Sequence, residues 1–223
     1  MFPYPIGFNT SPAAGIDDID NVYSMAFDGV DDYVNCGEIP PLFEYFPIGT
    51  AKDTTWSASM WVKGSSAGAF FEIPYIEVNS LGARSFGFAF STYLYFGGKY
   101  AGIKIKETGV TAFSTTDWNH IVMTFDGVDY TAVSSYTLYV DNVSIAIELI
   151  IPNITDFTTK NISIGVAGTL YWDGSMDEVA LFDYELSADD VTEIYDATDF
   201  VTDKCADLSS MSTPPIAWYR MGD

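Results

Sequence analysis

The sequence predicts an all-β, antiparallel β-sandwich with one short helix near its C-terminal end. Three observations support this fold class. Apolar residues recur with a period of two in short runs, Gly, Asp and Asn separate these runs, and only one segment has a clear helical pattern. Because 48% of the 223 residues are hydrophobic and 16% are aromatic, we expect one domain with a sizeable core.

The strand predictions rest on alternation and on turn residues. The segment 118–125 is apolar on both faces, which indicates a strand covered on both sides. Asp141-Asn142 separates two alternating runs, as in a two-residue hairpin turn. Strands are predicted at residues 56–62, 85–96, 118–125, 136–140, 143–147 and 161–166.

The helix prediction rests on a start signal and an apolar stripe. Ser187 is a good N-cap, and Asp190 occupies the position where a capping box has Glu or Gln. Val191, Ile194 and Tyr195 form one apolar face over about two turns. We expect this helix to close the sandwich.

The chain divides into three parts by composition. Residues 1–21 are rich in Pro, Gly and Asp and predict an N-terminal arm, residues 22–195 form the sandwich domain, and residues 196–223 form a C-terminal extension. We expect the arm and the extension to anchor the domain on neighbouring molecules by strand addition or packing. The sequence shows no signal peptide and no apolar run of transmembrane length.

The charge restricts the classes of partner. With 31 acids against 9 bases, the formal charge of −22 excludes electrostatic nucleic-acid binding and adsorption to an anionic membrane. Neutral glycans, divalent cations and basic proteins stay compatible with it. The stretch 173–203 has no Lys or Arg. It is interpreted as a solvated face, with a docking surface for a basic partner or a low-affinity cation-binding surface as the alternatives.

Four segments in order carry a family resemblance. They are residues 24–34, 56–62, 118–143 with its Trp118-Asn-His-Ile-Val and Leu138-Tyr-Val-Asp motifs, and 162–186 with Trp172-Asp-Gly-Ser-Met-Asp-Glu. Together they resemble the laminin-G-like, concanavalin-type family, which implies a jelly-roll sandwich. The tail Ala217-Trp-Tyr-Arg-Met-Gly-Asp223 resembles segments that follow such domains in structural proteins of tailed phages.

The resemblance also implies a structural cation. Many members of this family place one near the opening turn and the closing strand, where this chain has acidic residues. Ca²⁺ suits such a site because it takes six to eight oxygen ligands from carboxylates and carbonyls. The alternative is that the acids cap a tight turn. The candidate ligands are Asp28, Asp31, Asp32 and Asp177, with Asp28 and Asp177 sharing one ion.

A sugar site is predicted at Tyr171, Trp172 and Asp173. Lectin-like sites stack sugar rings on exposed aromatic side chains and bind hydroxyls through Asp or Asn. This triplet offers both groups before a Gly turn. The alternative is that these aromatic residues pack in the core or at its rim.

No catalytic set is recognised. Glucanases of the wider fold use two Glu residues around an Asp, but Ser175 stands where the first Glu would be. Asp177 and Glu178 are adjacent, so on a strand they are expected to point to opposite faces. His120, the only histidine, is interpreted as a structural residue. Cys36 and Cys205 are expected to be free thiols rather than a disulfide.

These observations predict a non-enzymatic structural or surface interaction protein. The resemblance of the tail implies a phage virion surface, as a capsid decoration or a tail-associated adhesin, with other virion proteins or further copies of the chain as partners. The first alternative is a carbohydrate-binding module that recognises a host-surface glycan. The second is a glycoside-active enzyme, which the missing carboxylate pair disfavours.

Overall fold

The computed structural model describes residues 15–38, 55–64, 76–79, 88–90, 94–96, 105–107, 114, 116–129, 132–149, 161–167 and 170–221. All strand pairs among them are antiparallel. The fold is an all-β jelly-roll sandwich with one short helix, as predicted. The strands of the first half are β1 (Asp18–Asp20), β2 (Met25–Asp28), β3 (Val34–Glu38), β4 (Trp56–Gly64), β5 (Ile76–Asn79), β6 (Phe88–Phe90), β7 (Leu94–Phe96), β8 (Ile105–Glu107) and β9 (Asn119–Phe125).

The second half of the described chain contains the helix and the remaining strands. A hairpin and several short strands precede the longest strand, and the helix follows it. In order they are β10 (Tyr136–Val140), β11 (Val143–Ile145), β12 (Ile147–Leu149), β13 (Asn161–Ile164), β14 (Val166–Ala167), β15 (Leu170–Tyr171), β16 (Asp173–Phe182), α1 (Ala188–Asp196), β17 (Lys204–Ala206) and β18 (Ala217–Tyr219).

A seven-stranded sheet forms one layer of the sandwich. Its order is β11-β10-β9-β4-β16-β18, and β2 also pairs with β16. The first half of β16 pairs with β2 and its second half with β18, so these two short strands share one side of β16. Smaller sheets, among them β3-β13-β5, complete the fold. The main core includes side chains of the large sheet together with Ile164 of β13 and the half-buried Val34 of β3.

The central strands are buried on both faces, as predicted for residues 118–125. Every residue of β9 is buried, and β4 is buried except at Lys63. One face of these strands lies in the main core. The opposite face packs Val122 and Phe182 against Val191 and Ile194 of α1 in a second apolar cluster. The helix therefore covers the outer face of the large sheet.

The predicted local signals of the helix and hairpin are confirmed. Ser187 accepts a hydrogen bond from the backbone N–H of Asp190, and the Asp190 side chain accepts one from the Ser187 N–H, which completes a capping box. Asp141 and Asn142 both have positive φ, at 48° and 63°, as a tight two-residue hairpin turn requires. No helix in the described ranges has the length and apolar character needed to cross a membrane.

Two segments differ from their predictions. The region 85–96 contains two short strands, β6 and β7, which pair with each other. The described part of the C-terminal extension is built into the sandwich, because β17 pairs with β1 and β18 pairs with β16. Residues 15–21 and 196–221 therefore pack on their own domain rather than reaching outward, while residues 1–14 lie outside the described chain.

Candidate functional site

An acidic turn follows β2 at the edge of the large sheet. Asp28 caps the turn by accepting a hydrogen bond from the Val30 N–H at 2.8 Å through Oδ1. Asp32 accepts one from the Asp28 N–H at 3.1 Å through Oδ2. Carboxylate oxygens of Asp28, Asp31 and Asp32 lie within 4.8 Å of one another, and all three residues are exposed. The Asp side chains thus accept hydrogen bonds from backbone amides of the turn, and the turn still presents carboxylate oxygens to solvent.

Asp173 lies against this acidic turn. It is the first residue of β16 and faces Asp28 in the β2–β16 pair. Gly29 has a φ of +75°, and a Cβ placed on it would lie 2.8 Å from the Asp173 Cβ. The structure therefore brings the predicted sugar-binding Asp173 next to three of the four predicted cation ligands. We call the turn, Asp173 and the half-buried Tyr171 the acidic rim.

Trp172 does not contribute to the acidic rim, which corrects the prediction that it offers a face to a sugar. Its side chain is 2% exposed and belongs to the main core. Side chains alternate in this extended segment, so Trp172 points inward between Tyr171 and the exposed Asp173. Gly174 permits this packing, since a Cβ there would lie 2.9 Å from the Trp172 ring.

Tyr33, which was not among the predicted site residues, is exposed at the acidic turn. Its side chain is 53% exposed and directly follows the Asp31-Asp32 pair. Its position in an Asp-rich turn could have predicted this exposure, because a large ring in such a turn has few neighbours to bury it. Tyr33 rather than Trp172 is the exposed aromatic residue of this turn.

Asp177 lies apart from the acidic turn. The register places Asp28 opposite Asp173, four residues before Asp177 along β16. Asp177 is 1% exposed and accepts a hydrogen bond from the Asn21 Nδ2 at 3.0 Å. The structure therefore does not bring Asp28 and Asp177 together as ligands of one ion.

A β-bulge changes the expected geometry of Asp177 and Glu178. The pairing of β16 with β4 shifts register between Asp177 and Ala180, and Glu178 has a φ of +52°. Both carboxylates consequently lie on the same side, where the Asn21 Nδ2 contacts both, at 3.0 Å and 3.4 Å. The prediction that they point to opposite faces was wrong, because it assumed a regular strand.

The second carboxylate of this bulge connects to the C-terminal strand. The Trp218 Nε1 donates to Glu178 Oε2 at 2.5 Å, and the Arg220 Nε lies 3.7 Å from Glu178 Oε1. Glu178 is 4% exposed. The bulge therefore fastens Asn21 and the strand β18 onto the sandwich, and we call these contacts the buried clasp.

His120 is a core residue, as interpreted from the sequence. Its Nε2 lies 2.8 Å from the Ser59 Oγ, and its ring stacks on Trp61 with 4.7 Å between centroids. Complete burial lowers the pKa of His120 to about 3, because the charged imidazolium would lose its hydration. The side chain is thus neutral at ordinary pH and held by packing.

The two cysteines are free thiols, as expected. Cys36 is half-buried, and burial raises its pKa, with a smaller opposing effect from a hydrogen bond with Tyr219. Cys205 is buried, and burial together with the nearby Glu178 raises its pKa. Both thiols are therefore protonated and poorly reactive.

Solved structures of similar fold include several with sugar-related descriptions, of which three follow. One is domain 4 of AbnA, a GH43 extracellular arabinanase from Geobacillus stearothermophilus, in complex with arabinotriose, at a TM-score of 0.53, 15% identity and 80% coverage of each chain. Another is a proposed carbohydrate-binding protein from Bacteroides ovatus, at a TM-score of 0.53 and 14% identity, covering 92% of this chain and 52% of that one.

The third is the Trypanosoma rangeli sialidase in complex with sialic acid, at a TM-score of 0.53 and 11% identity. The match covers 83% of this chain and 30% of the sialidase chain. The chain therefore spans about half of the Bacteroides protein and less than a third of the sialidase. At these identities the likeness shows a common fold.

Comparison with curated proteins finds no match. A family model, by contrast, matches residues 28–192, which is most of the chain and includes the predicted sandwich motifs from Asp28 onward. The chain belongs to the concanavalin A-like lectin/glucanases superfamily.

Proposed function

We propose that the protein is a non-catalytic recognition domain that binds a glycan at the acidic rim and the adjoining Tyr33. One observation carries this proposal. Residues predicted separately as cation ligands and as sugar contacts lie side by side, with Asp173 packed against Gly29 of the acidic turn. Hydroxyl-rich ligands need such converging hydrogen-bond acceptors next to an aromatic surface.

The chemistry of the rim suits a sugar. Exposed carboxylates accept hydrogen bonds from vicinal hydroxyls, and Tyr33, an aromatic residue that is 53% exposed, lies beside them in the sequence. The names of similar structures, an arabinanase domain solved with arabinotriose and a proposed carbohydrate-binding protein, support the same class of ligand.

We assign Asp28, Asp31 and Asp32 as the ligands of a Ca²⁺ ion at the rim. Ca²⁺–oxygen distances of about 2.3–2.6 Å place oxygens on one ion within about 5 Å of each other. The three carboxylates meet this condition with a spread of 4.8 Å. When bound, the ion would offset the charge of the turn and offer open coordination positions to sugar hydroxyls.

The absence of catalysis is part of this proposal. Asp177 and Glu178 are the carboxylates nearest to the glucanase motif, but they are 1% and 4% exposed and are bound by Asn21, Trp218 and Arg220. A retaining hydrolase needs two carboxyl groups on either side of an accessible glycosidic bond. The buried clasp supports a structural role for this pair and disfavours a glycoside-active enzyme.

A glycan array with and without Ca²⁺ tests the proposed function. We expect binding that Asp173→Ala and Tyr33→Ala each reduce about tenfold or more, because each removes a direct contact. Asp196→Ala, which removes an acid at the end of α1 and leaves every residue of the rim unchanged, serves as the matched control and should bind like the wild type. Absence of any binder in both conditions would refute glycan recognition.

A virion surface is the second candidate setting, and we propose it on the resemblance of residues 217–223 to segments of tailed-phage structural proteins. In that setting the domain is a capsid decoration or a tail-associated adhesin, with virion proteins or further copies as partners. Mass spectrometry and immunogold labelling of purified particles test it. The chain should copurify with the particles and be labelled on their surface, and its absence from them would reject this setting.

A further inference from the structure

The strand β2 and the residues before it are exposed to an unusual degree. All five residues from Val22 to Ala26 are exposed, whereas the neighbouring strand β16 is almost entirely buried. Val22 is 56% exposed, Tyr23 65% and Met25 36%. Apolar side chains with this exposure on a sheet edge indicate a surface that pairs with another chain.

The backbone of β2 leaves one side open. Asp28 faces Asp173 in the register with β16, yet its N–H donates to the Asp32 carboxylate, so this N–H points away from β16. Because the direction alternates along a strand, the N–H and C=O of Ala26 also point away from β16. No strand within the described ranges pairs with this side of β2. Ala26 thus offers one donor and one acceptor at the open edge.

Both ends of this edge are acidic. Asp18 and Asp20 precede it in β1, and the acidic turn follows it. Two cations lie near Asp20: the Lys204 Nζ is 3.5 Å from Asp18 and 2.7 Å from Asp20, and the Arg220 Nη2 donates to the Asp20 carbonyl oxygen at 2.6 Å. They are fewer than the acids at the two ends of the edge. A second copy of the chain, with its own charge of −22, would bring like charges together at this edge. Charge complementarity therefore favours a basic partner.

We propose that β2 is a strand-addition surface for an extended segment of another protein that has alternating apolar residues and Lys or Arg at its ends. The segment would pair with the open N–H and C=O of Ala26, pack apolar side chains beside Tyr23 and Met25, and place its cations near the flanking acids. This interface goes beyond the proposed glycan function, since it requires neither Tyr171 nor Asp173 and shares with that function only the acidic turn.

A labelled synthetic peptide, Lys-Val-Thr-Val-Thr-Val-Lys, tests the proposal with the full-length protein by fluorescence anisotropy. Ala26→Pro removes the open N–H without removing a bond to β16, and Pro is tolerated on the open side of an edge strand. We expect it to weaken peptide binding about tenfold or more. Ala26→Val keeps the N–H and is the matched control, which should bind like the wild type.

Further outcomes decide the proposal if Ala26→Pro lowers stability. Hydrogen exchange of the wild-type protein should show the Ala26 amide protected only when the peptide is bound, and a peptide with Glu in place of Lys should give no protection. Equal binding to Ala26→Pro and Ala26→Val, or no protection by the Lys peptide, would overturn the proposal. A wild-type dimer in sedimentation that Ala26→Pro dissociates would assign the edge to a second copy instead. Glycan-array binding is scored separately, so failure of either proposal is distinguishable.

Discussion

Two acidic regions on the same strand of the large sheet have opposite environments. At the first residue of β16, Asp173 joins the exposed turn of Asp28, Asp31 and Asp32. Four residues later, Asp177 and Glu178 are buried and bound by Asn21, Trp218 and Arg220. The difference shows that acidic composition does not assign a role, because burial and protein partners decide which carboxylates remain available to a ligand.

The contrast also divides the net charge of −22 into two kinds of contribution. Buried carboxylates must be satisfied by donors of the protein itself, so they hold segments distant in sequence together. Exposed carboxylates keep their hydration and stay free for a cation or a hydroxyl. We therefore expect substitutions in the buried clasp to affect stability and substitutions at the acidic rim to affect binding.

The largest expected effect comes from Glu178→Ala. It leaves the Trp218 Nε1 and the Arg220 Nε without the Glu178 carboxylate. Because these partners are half-buried, the expected loss of unfolding free energy is about 3 kcal/mol, the lower end of the range for a fully buried pair. Urea denaturation measures it. Asp31→Ala at the rim is the matched control and should change the free energy of unfolding by no more than about 0.5 kcal/mol. Equal effects of the two substitutions would contradict the comparison.

A smaller effect on the free energy of unfolding is expected from the protonation of the buried His120. The pKa of His120 is about 3 in the folded protein, against 6.5 for a hydrated histidine. Between these two pH values the imidazole is protonated in the unfolded chain and neutral in the folded chain. The contribution of His120 to the free energy of unfolding is therefore complete above pH 6.5 and decreases as the pH drops toward 3. At pH 5 the loss is about 2 kcal/mol.

His120→Gln isolates this effect, because the chain has no other histidine. Denaturation curves at pH 7 and pH 5 should show a smaller loss of stability in the variant than in the wild type, and the difference between the two losses is the histidine contribution. Identical pH dependence of both proteins would show that His120 is accessible to protons in the folded state.

The buried clasp is the part of the molecule that sequence patterns predict least. Alternation predicted four strands of the large sheet, β4, β9, β10 and β11, but not β2, β16 or β18, and the capping signal of Ser187 predicted α1. Alternation also gave the wrong relative direction for the side chains of Asp177 and Glu178. The β-bulge gives Glu178 a positive φ, and a glutamate at this position does not indicate a bulge. The clasp therefore appears only in the structure.

The rim was predicted in its residues but not in its assembly. The Asp-rich turn and Asp173 were both recognised, while their contact depends on the pairing of β2 with β16 across more than 140 residues of chain. Trp172 was expected to be exposed and is buried, and the exposed Tyr33 was not predicted, because the sequence shows an aromatic residue near a turn but not which face of the strand the core occupies.

Gly29→Ala tests whether the rim depends on close packing. Gly29 has a φ of +75°, and an added Cβ would lie 2.8 Å from the Asp173 Cβ, so we expect a loss of about 1–2 kcal/mol and a displacement of Asp173. Gly37→Ala is a matched control, since Gly37 has a φ of +71° but open space around its Cβ. Denaturation should show a larger loss for Gly29→Ala, and glycan affinity should fall for this variant alone. Similar results for both would mean that backbone strain, not the contact with Asp173, accounts for the effect.

The smallest expected effect is the stabilisation of the rim by Ca²⁺. An exposed turn with three carboxylates implies a weak site, and with a Kd of about 1 mM, a Ca²⁺ concentration of about 2 mM adds about 0.6 kcal/mol to the free energy of unfolding. The Asp31→Asn, Asp32→Asn double variant should lose this increase, whereas Asp196→Asn should keep it. Calcium titration followed by denaturation, with a chelator as the reference, measures the difference.

An increase that survives in the double variant would locate the ion elsewhere. No increase at any concentration would leave the three carboxylates as turn caps, and glycan binding would then have to be independent of calcium.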